Sequence, residues 1–201
     1  VRDEVFVWTG PGYQSLQSSA GSGWSLTGNA GTVDGTNFIG TTDDVPFNIR
    51  MNNQPAGRID DITSQVTLFG FQAGNNGAGF NNNAFGYRSL ANNTADGNNA
   101  FGSLALENNI TGTANVAIGF GSLRANDDGG QNTAVGNGSL TSNVSGFDNV
   151  AVGFRSLDLN TSSGNTGIGS LALVNTVGQG NTGLGYNALA SNTIGTFNVG
   201  I

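Results

Sequence analysis

The sequence predicts an all-β protein: a small N-terminal β connector over residues 1–65, then a parallel β-roll of 16–17-residue coils over residues 66–201. Three observations predict it. A glycine recurs at 70, 86, 102, 119, 136, 153, 169 and 185, so the spacing is always 16 or 17. From Gly86 onward, the residue four before each of these anchors is asparagine (Asn82, Asn98, Asn115, Asn132, Asn149, Asn165, Asn181) and the residue four after is leucine (Leu90, Leu106, Leu123, Leu140, Leu157, Leu173, Leu189). The residue before each anchor is large and apolar and, from Gly86 onward, follows an alanine or glycine, which is the two-residue period of a strand.

In the connector, Glu4–Trp8 reads as a short apolar strand ended by the turn signal Gly10-Pro11-Gly12. Residues 18–35 read as loop, with Trp24, Leu26 and Val33 as isolated anchors. Val45, Phe47, Ile49 and Met51 alternate with Pro46, Asn48 and Arg50, which predicts a half-buried strand. Asn52-Asn53-Gln54-Pro55 then turns the chain, and Ala56–Ile59 returns it. The array opens with a degenerate unit around Gly70, where Val66 replaces the asparagine and Gly74 the leucine, as terminal repeats tend to do.

Each unit reads as two short extended pieces joined by two corners. The first piece is Thr133-Ala134-Val135-Gly136 or its equivalent, and the second ends in Ser-Leu or Ala-Leu. Asparagine seven after the anchor (Asn93, Asn109, Asn126, Asn143, Asn160, Asn192) and the glycines beyond it suit corners that need positive φ. Asparagines stacked at one corner are expected to pair their amides along the axis. The large residue of each strand is expected to fill the inside of the coil. The small residue and the anchor then form a stripped outer face on which other chains pack, with Ala100, Ala117, Ala134, Ala151, Gly167 and Gly183 as its members. A single thin roll has a marginal core, so several chains side by side are expected to share it.

Composition removes whole classes of function. Cysteine, histidine and lysine are absent, which excludes disulfides, thiolate or imidazole metal ligands and Ser-His or Cys-His nucleophiles. Six arginines against thirteen carboxylates give a net charge of −7, so no nucleic-acid groove is expected. No apolar run reaches membrane length, and no membrane insertion and no cofactor are expected. The chain opens without methionine, and Asn198–Ile201 restarts the repeat, so it reads as part of a longer protein.

The pattern Asn-x-Ala-Φ-Gly (Φ, a large apolar residue), then Ser/Ala-Leu, then an Asn/Gly turn, as in Asn115–Gly119, resembles the head repeats of trimeric autotransporter adhesins of the YadA-like kind. The segment Asn181–Leu189 is similar to the longer repeats of phage tail-fibre-like and bacterial surface proteins. The resemblance covers about residues 66–201. It implies a left-handed parallel β-roll, a homotrimer and attachment to surfaces. Its expected partners are other copies of the chain, other fibre or virion proteins, and a host cell-surface glycan or protein. The implied location is a virion tail fibre or an extracellular surface, as an attachment segment rather than an enzyme.

Several residues are candidates for more specific roles. Phe71, Tyr87, Phe120, Phe154 and Tyr186 each follow an anchor, and such a ladder could touch glycans or seal an interface. Where serine stands there instead, at Ser103 and Ser170, Leu104 and Leu171 follow, as if volume were conserved. Asp127-Asp128-Gly129-Gly130, with Asp148 one coil on, is a weak calcium candidate. Asp43-Asp44 and Asp60-Asp61 are the carboxylates a polysaccharide-degrading tailspike would need, although a regular roll offers few clefts. Arg88 and Arg155 are expected to be solvated outer residues.

Overall fold

The computed structural model describes residues 39–201 except Ala78, together with the backbone pairing of Phe6–Trp8 and Tyr13–Ser15. The anchors expected at Trp24, Leu26 and Val33 lie outside the described residues. The chain divides into two compact units, Val1–Thr42 and Asp43–Ile201. In the first, β1 (Phe6–Trp8) pairs antiparallel with β2 (Tyr13–Ser15).

The second unit contains eleven strands in one sheet, arranged in chain order: β3 (Phe47–Met51), β4 (Gln54–Ile59), β5 (Thr67–Phe69), β6 (Asn83–Phe85), β7 (Asn99–Phe101), β8 (Val116–Ile118), β9 (Thr133–Val135), β10 (Val150–Val152), β11 (Thr166–Ile168), β12 (Thr182–Leu184) and β13 (Val199–Gly200). No helix is present among the described residues. From β5 onward every pairing is parallel, so each strand begins a new coil of a β-solenoid of about eight turns.

The β3–β4 hairpin belongs to this sheet. Asn52 and Asn53 both have positive φ, the geometry of the tight turn whose twist suits a two-residue hairpin. β4 then pairs antiparallel with β5 and finishes the N-terminal edge of the roll. The compact unit starts at Asp43, so residues 43–65 form one body with the coils. Asp61 shapes the β4–β5 connection by accepting the amides of Thr63 and Ser64 and the Ser64 hydroxyl. The Ser64 amide and hydroxyl, then the Thr63 amide, hold the Asp61 carboxyl below the usual range. A carboxyl lowered by folding adds stability above the ordinary carboxylate range and loses it as pH falls through the lowered value.

Within each coil, the middle residue of the strand points inward. Ala84, Ala100, Ala117, Ala134 and Ala151 are fully buried, and Gly167 and Gly183 occupy the same row. The large residue points outward: Phe69, Phe85, Phe101, Ile118, Ile168 and Leu184 are 36% to 45% exposed. This reverses both face assignments made from sequence. The physical reason is the leucine four after the anchor, which is wholly buried from Leu90 to Leu173 and already spans the inside of the thin coil. Leucine and a large strand residue cannot share that width. A Cβ on Gly167 would lie 2.6 Å from Oγ of Ser156 and 3.2 Å from Cγ of Leu157, and the row holds alanine at the most from Ala84 to Gly183.

The anchor glycine is fixed by its own chain as well. Anchor φ values lie between 124° and 140°, a region closed to residues with a Cβ. From Gly70 to Gly169, an added Cβ would sit no more than 2.6 Å from the carbonyl oxygen of the next anchor. Close backbone approach is what the glycine permits, and the approaching backbone is the following coil.

The expected second strand is replaced by turns. The residues two and four after the anchor are left-handed, as with Arg155 (φ 50°) and Leu157 (φ 53°). A left-handed leucine costs about 1–2 kcal/mol, and burying its side chain contributes about 1.5–3 kcal/mol, so burial wins. Coil-to-coil hydrogen bonds continue on this side without a strand. The Leu140 amide donates to the Ser156 carbonyl, and the Arg155 amide donates to the Asn137 carbonyl.

Two columns of buried asparagine run along the axis between these walls. In the first column the amide nitrogen of each asparagine donates to the one before: Asn109 to Asn93 at 2.6 Å, Asn126 to Asn109 at 2.6 Å and Asn143 to Asn126 at 3.0 Å. In the second, each side-chain oxygen accepts the backbone N–H of the next member, as Asn115 accepts from Asn132 and Asn132 from Asn149, both at 3.0 Å. The columns meet at shared carbonyls. Gly112 accepts from Asn98 and Asn109, and Gly129 from Asn115 and Asn126. Amide ladders were expected at one corner; the second column satisfies the corner between turn and strand. No buried side-chain nitrogen or oxygen among the described residues lacks a partner.

Candidate functional site

With alanine and leucine inside, the outer face of β5–β12 carries two straight rows. One is Thr67, Asn83, Asn99, Val116, Thr133, Val150, Thr166 and Thr182. The other is Phe69, Phe85, Phe101, Ile118, Val135, Val152, Ile168 and Leu184. One-to-one strand register keeps both rows in line although coils differ by a residue, because the extra residue is absorbed outside the strands. No charged residue occurs in either row. At its N-terminal end the apolar row is a stack of near-parallel rings, with centroids 5.9 Å apart for Phe69–Phe85 and 5.0 Å for Phe85–Phe101. Exposed apolar residues in isolation are ordinary; a continuous uncharged row along every coil is a candidate contact surface.

The trimer-face candidates Ala100, Ala117, Ala134, Ala151, Gly167 and Gly183 are not on this surface. They lie inside the coil of a single chain and cannot touch a second one. Sequence reasoning missed the row that can, although every member had been identified. Alternation shows that two residues face opposite ways without saying which way is in.

The other predicted ladder is on the surface. Tyr87, Phe120, Phe154 and Tyr186 are exposed and Phe71 is half-buried. Phe71 and Tyr87 stack with planes 4° apart and centroids 6.3 Å apart. Leu104 and Leu171 are partly buried beside Ser103 and Ser170.

Arg88 and Arg155, expected to be solvated, are each about half exposed and paired. Glu107 is only 3% exposed and receives Arg88 at 3.1 Å from one neighbouring coil and Arg124 at 2.8 Å from the other. Arg155 pairs with Asp158 at 2.7 Å. The Arg88–Glu107–Arg124 clasp ties three successive coils through one buried carboxylate. Glu107→Gln should lower stability by about 1–2 kcal/mol in chemical denaturation, with a smaller difference at high salt, because both arginines keep partial solvent access.

The remaining acids among the described residues are engaged structurally or solvated. Asp60 receives Arg58 through two hydrogen bonds, and Asp61 holds its turn. The carbonyl of Asp127 accepts amides of Ile110, Thr111 and Gly112 in the coil before, so this residue organises a corner through its backbone. Asp127, Asp128 and Asp148 do not converge: no group of three or more metal-ligating acids occurs among the described residues. A cleft of about 330 Å³ opens at the N-terminal end of the roll, between Arg50 and Arg58 and above Val66, Leu68 and Gly74. It lies where the interior of the first coil has a hairpin above it instead of another coil. Among the described residues no helix is long and apolar enough to cross a membrane. Compared with known proteins, the chain matches no family, no curated protein and no solved structure.

Proposed function

We propose that this chain is a structural and attachment segment of a homotrimeric fibre, of the phage tail-fibre or related extracellular surface type, acting by multivalent contact and without catalysis. The observation that carries the proposal is the uncharged apolar row on the outer face of β5–β12. A second and third copy running in the same direction would bring identical levels together along a common axis. Each level would then bury its Phe, Ile, Val or Leu, adding at the interface the apolar burial that the thin coil lacks inside. No charged residue stands in the row itself, so the approach brings no like charges into direct contact there. Three parallel copies would also present each surface site three times, so weak contacts would add as avidity.

Light scattering or native mass spectrometry tests the assembly. The expected mass is three times that of the 20.3 kDa chain. Ile118→Asp with Val135→Asp should reduce it to one chain while the β signal in circular dichroism persists, since unpaired carboxylates would otherwise be buried at the interface. A monomeric mass for the unaltered chain, or an unchanged trimer in the double variant, overturns the proposal.

A further inference from the structure

The two residues after the anchor follow a rule in seven of the eight coils. One of them is always large and apolar: Phe71, Tyr87, Leu104, Phe120, Phe154, Leu171 or Tyr186. The coil of Gly136 breaks the rule with Asn137-Gly138. The break leaves a notch between the rings of the coils on either side, Phe120 at 56% and Phe154 at 50% exposure. Register places these rings two strand spacings apart, roughly 10 Å.

The floor of the notch is made of small groups. Gly121 has open space where a side chain would stand, and the stem of Arg155 crosses Gly138, with Cγ 3.3 Å from an ideal Cβ there. Polar groups line it too. Asn137 is exposed, and the Arg155 guanidinium is half exposed beside its partner Asp158. Two exposed aromatic rings with polar groups between them suit a flat, hydroxylated ring. The C–H groups of a pyranose pack on aromatic carbon at about 3.5–4 Å, and its hydroxyls need hydrogen-bond partners at the edge.

We propose that the Phe120–Phe154 notch binds one neutral hexopyranose ring of a surface glycan. This names a ligand class for the attachment part of the proposed function, yet a single chain contains the whole notch.

The repeat itself supplies the test. Asn137→Ser with Gly138→Leu gives this coil the Ser-Leu pair of Ser103-Leu104 and Ser170-Leu171. Gly138 has a φ of 68°, close to the 63° of Leu104 and 61° of Leu171, so the backbone already has the shape the leucine needs, and the Arg155 stem, with Cγ 3.3 Å from the new Cβ, shifts to admit it while the notch fills. Saturation-transfer NMR with methyl β-galactoside, methyl β-glucoside and methyl β-N-acetylglucosaminide should show transfer to ring C–H protons for at least one probe. The filled variant should lose at least ten-fold in affinity with unchanged mass and β signal in circular dichroism, and Phe120→Ala should weaken binding as well. No transfer from any of the three, or equal transfer in the filled variant, overturns the proposal. Loss of assembly in Phe120→Ala with sugar binding unchanged overturns it also and returns the ring to the interface between copies. Because mass is read separately, a monomer that binds the probe sinks the trimer alone, and a trimer that does not bind sinks the notch alone.

Discussion

Ala134→Leu should unfold the coil instead of separating copies. Ala134 is fully buried, paired in register with Ala117 and Ala151, and faces the row of buried leucines. Three extra carbons have no space there, and the thin coil cannot widen at one level without breaking hydrogen bonds to the levels above and below. Overpacking of this kind costs about 1–3 kcal/mol in an ordinary core, and the stacked geometry places the expected loss at the upper end, about 3 kcal/mol. Thermal or urea unfolding of the variant should show that loss with loss of β signal. The Ile118→Asp, Val135→Asp variant should change mass and keep the fold. If Ala134→Leu instead gave a stable folded monomer, the small residues would belong on the outside after all.

Asn132→Ala should be about as damaging. The side chain of Asn132 donates to Asn115 at 3.1 Å and to the Gly146 carbonyl at 2.8 Å, and its oxygen accepts the backbone amide of Asn149 at 3.0 Å. Truncation strands that buried amide and interrupts the column in both directions, at an expected cost of about 2–4 kcal/mol. Asn132→Asp keeps the shape but offers no donor to Gly146 and buries a charge. Its folded carboxyl would be raised above its unfolded value, so the variant should be most stable below the ordinary carboxylate range and lose stability as pH rises through the raised value. Denaturation midpoints of both variants across pH check this; a flat profile for the aspartate would mean that water reaches the column.

Much of the architecture was legible because the repeat states it many times. The anchor spacing located every strand from β5 to β12, and Asn52-Asn53 located the hairpin turn. The stacked amides at Asn93, Asn109, Asn126 and Asn143 followed from chemistry that needs only a constant corner. The exposed aromatics at Tyr87, Phe120, Phe154 and Tyr186 were legible as a ladder. The second side of the coil was not. A Ser-Leu pair reads as extended unless one knows that its leucine takes a left-handed conformation, and that choice is imposed by the hydrogen bonds of the next coil. The Glu107 clasp was hidden for a similar reason, since Arg88, Glu107 and Arg124 become neighbours only through stacking.

By itself the sequence determined that the chain coils, how many residues make a coil, and that large and small strand residues face opposite ways. Local chemistry suffices for this: glycine at positive φ, asparagine at corners and two-residue alternation act within a few residues. Only the tertiary structure decided which face is inside. That choice depends on whether the leucine four after the anchor or the large residue before it fills a space wide enough for one, a question of volume between residues brought together across a coil. Leucine took it, so the apolar row faces outward.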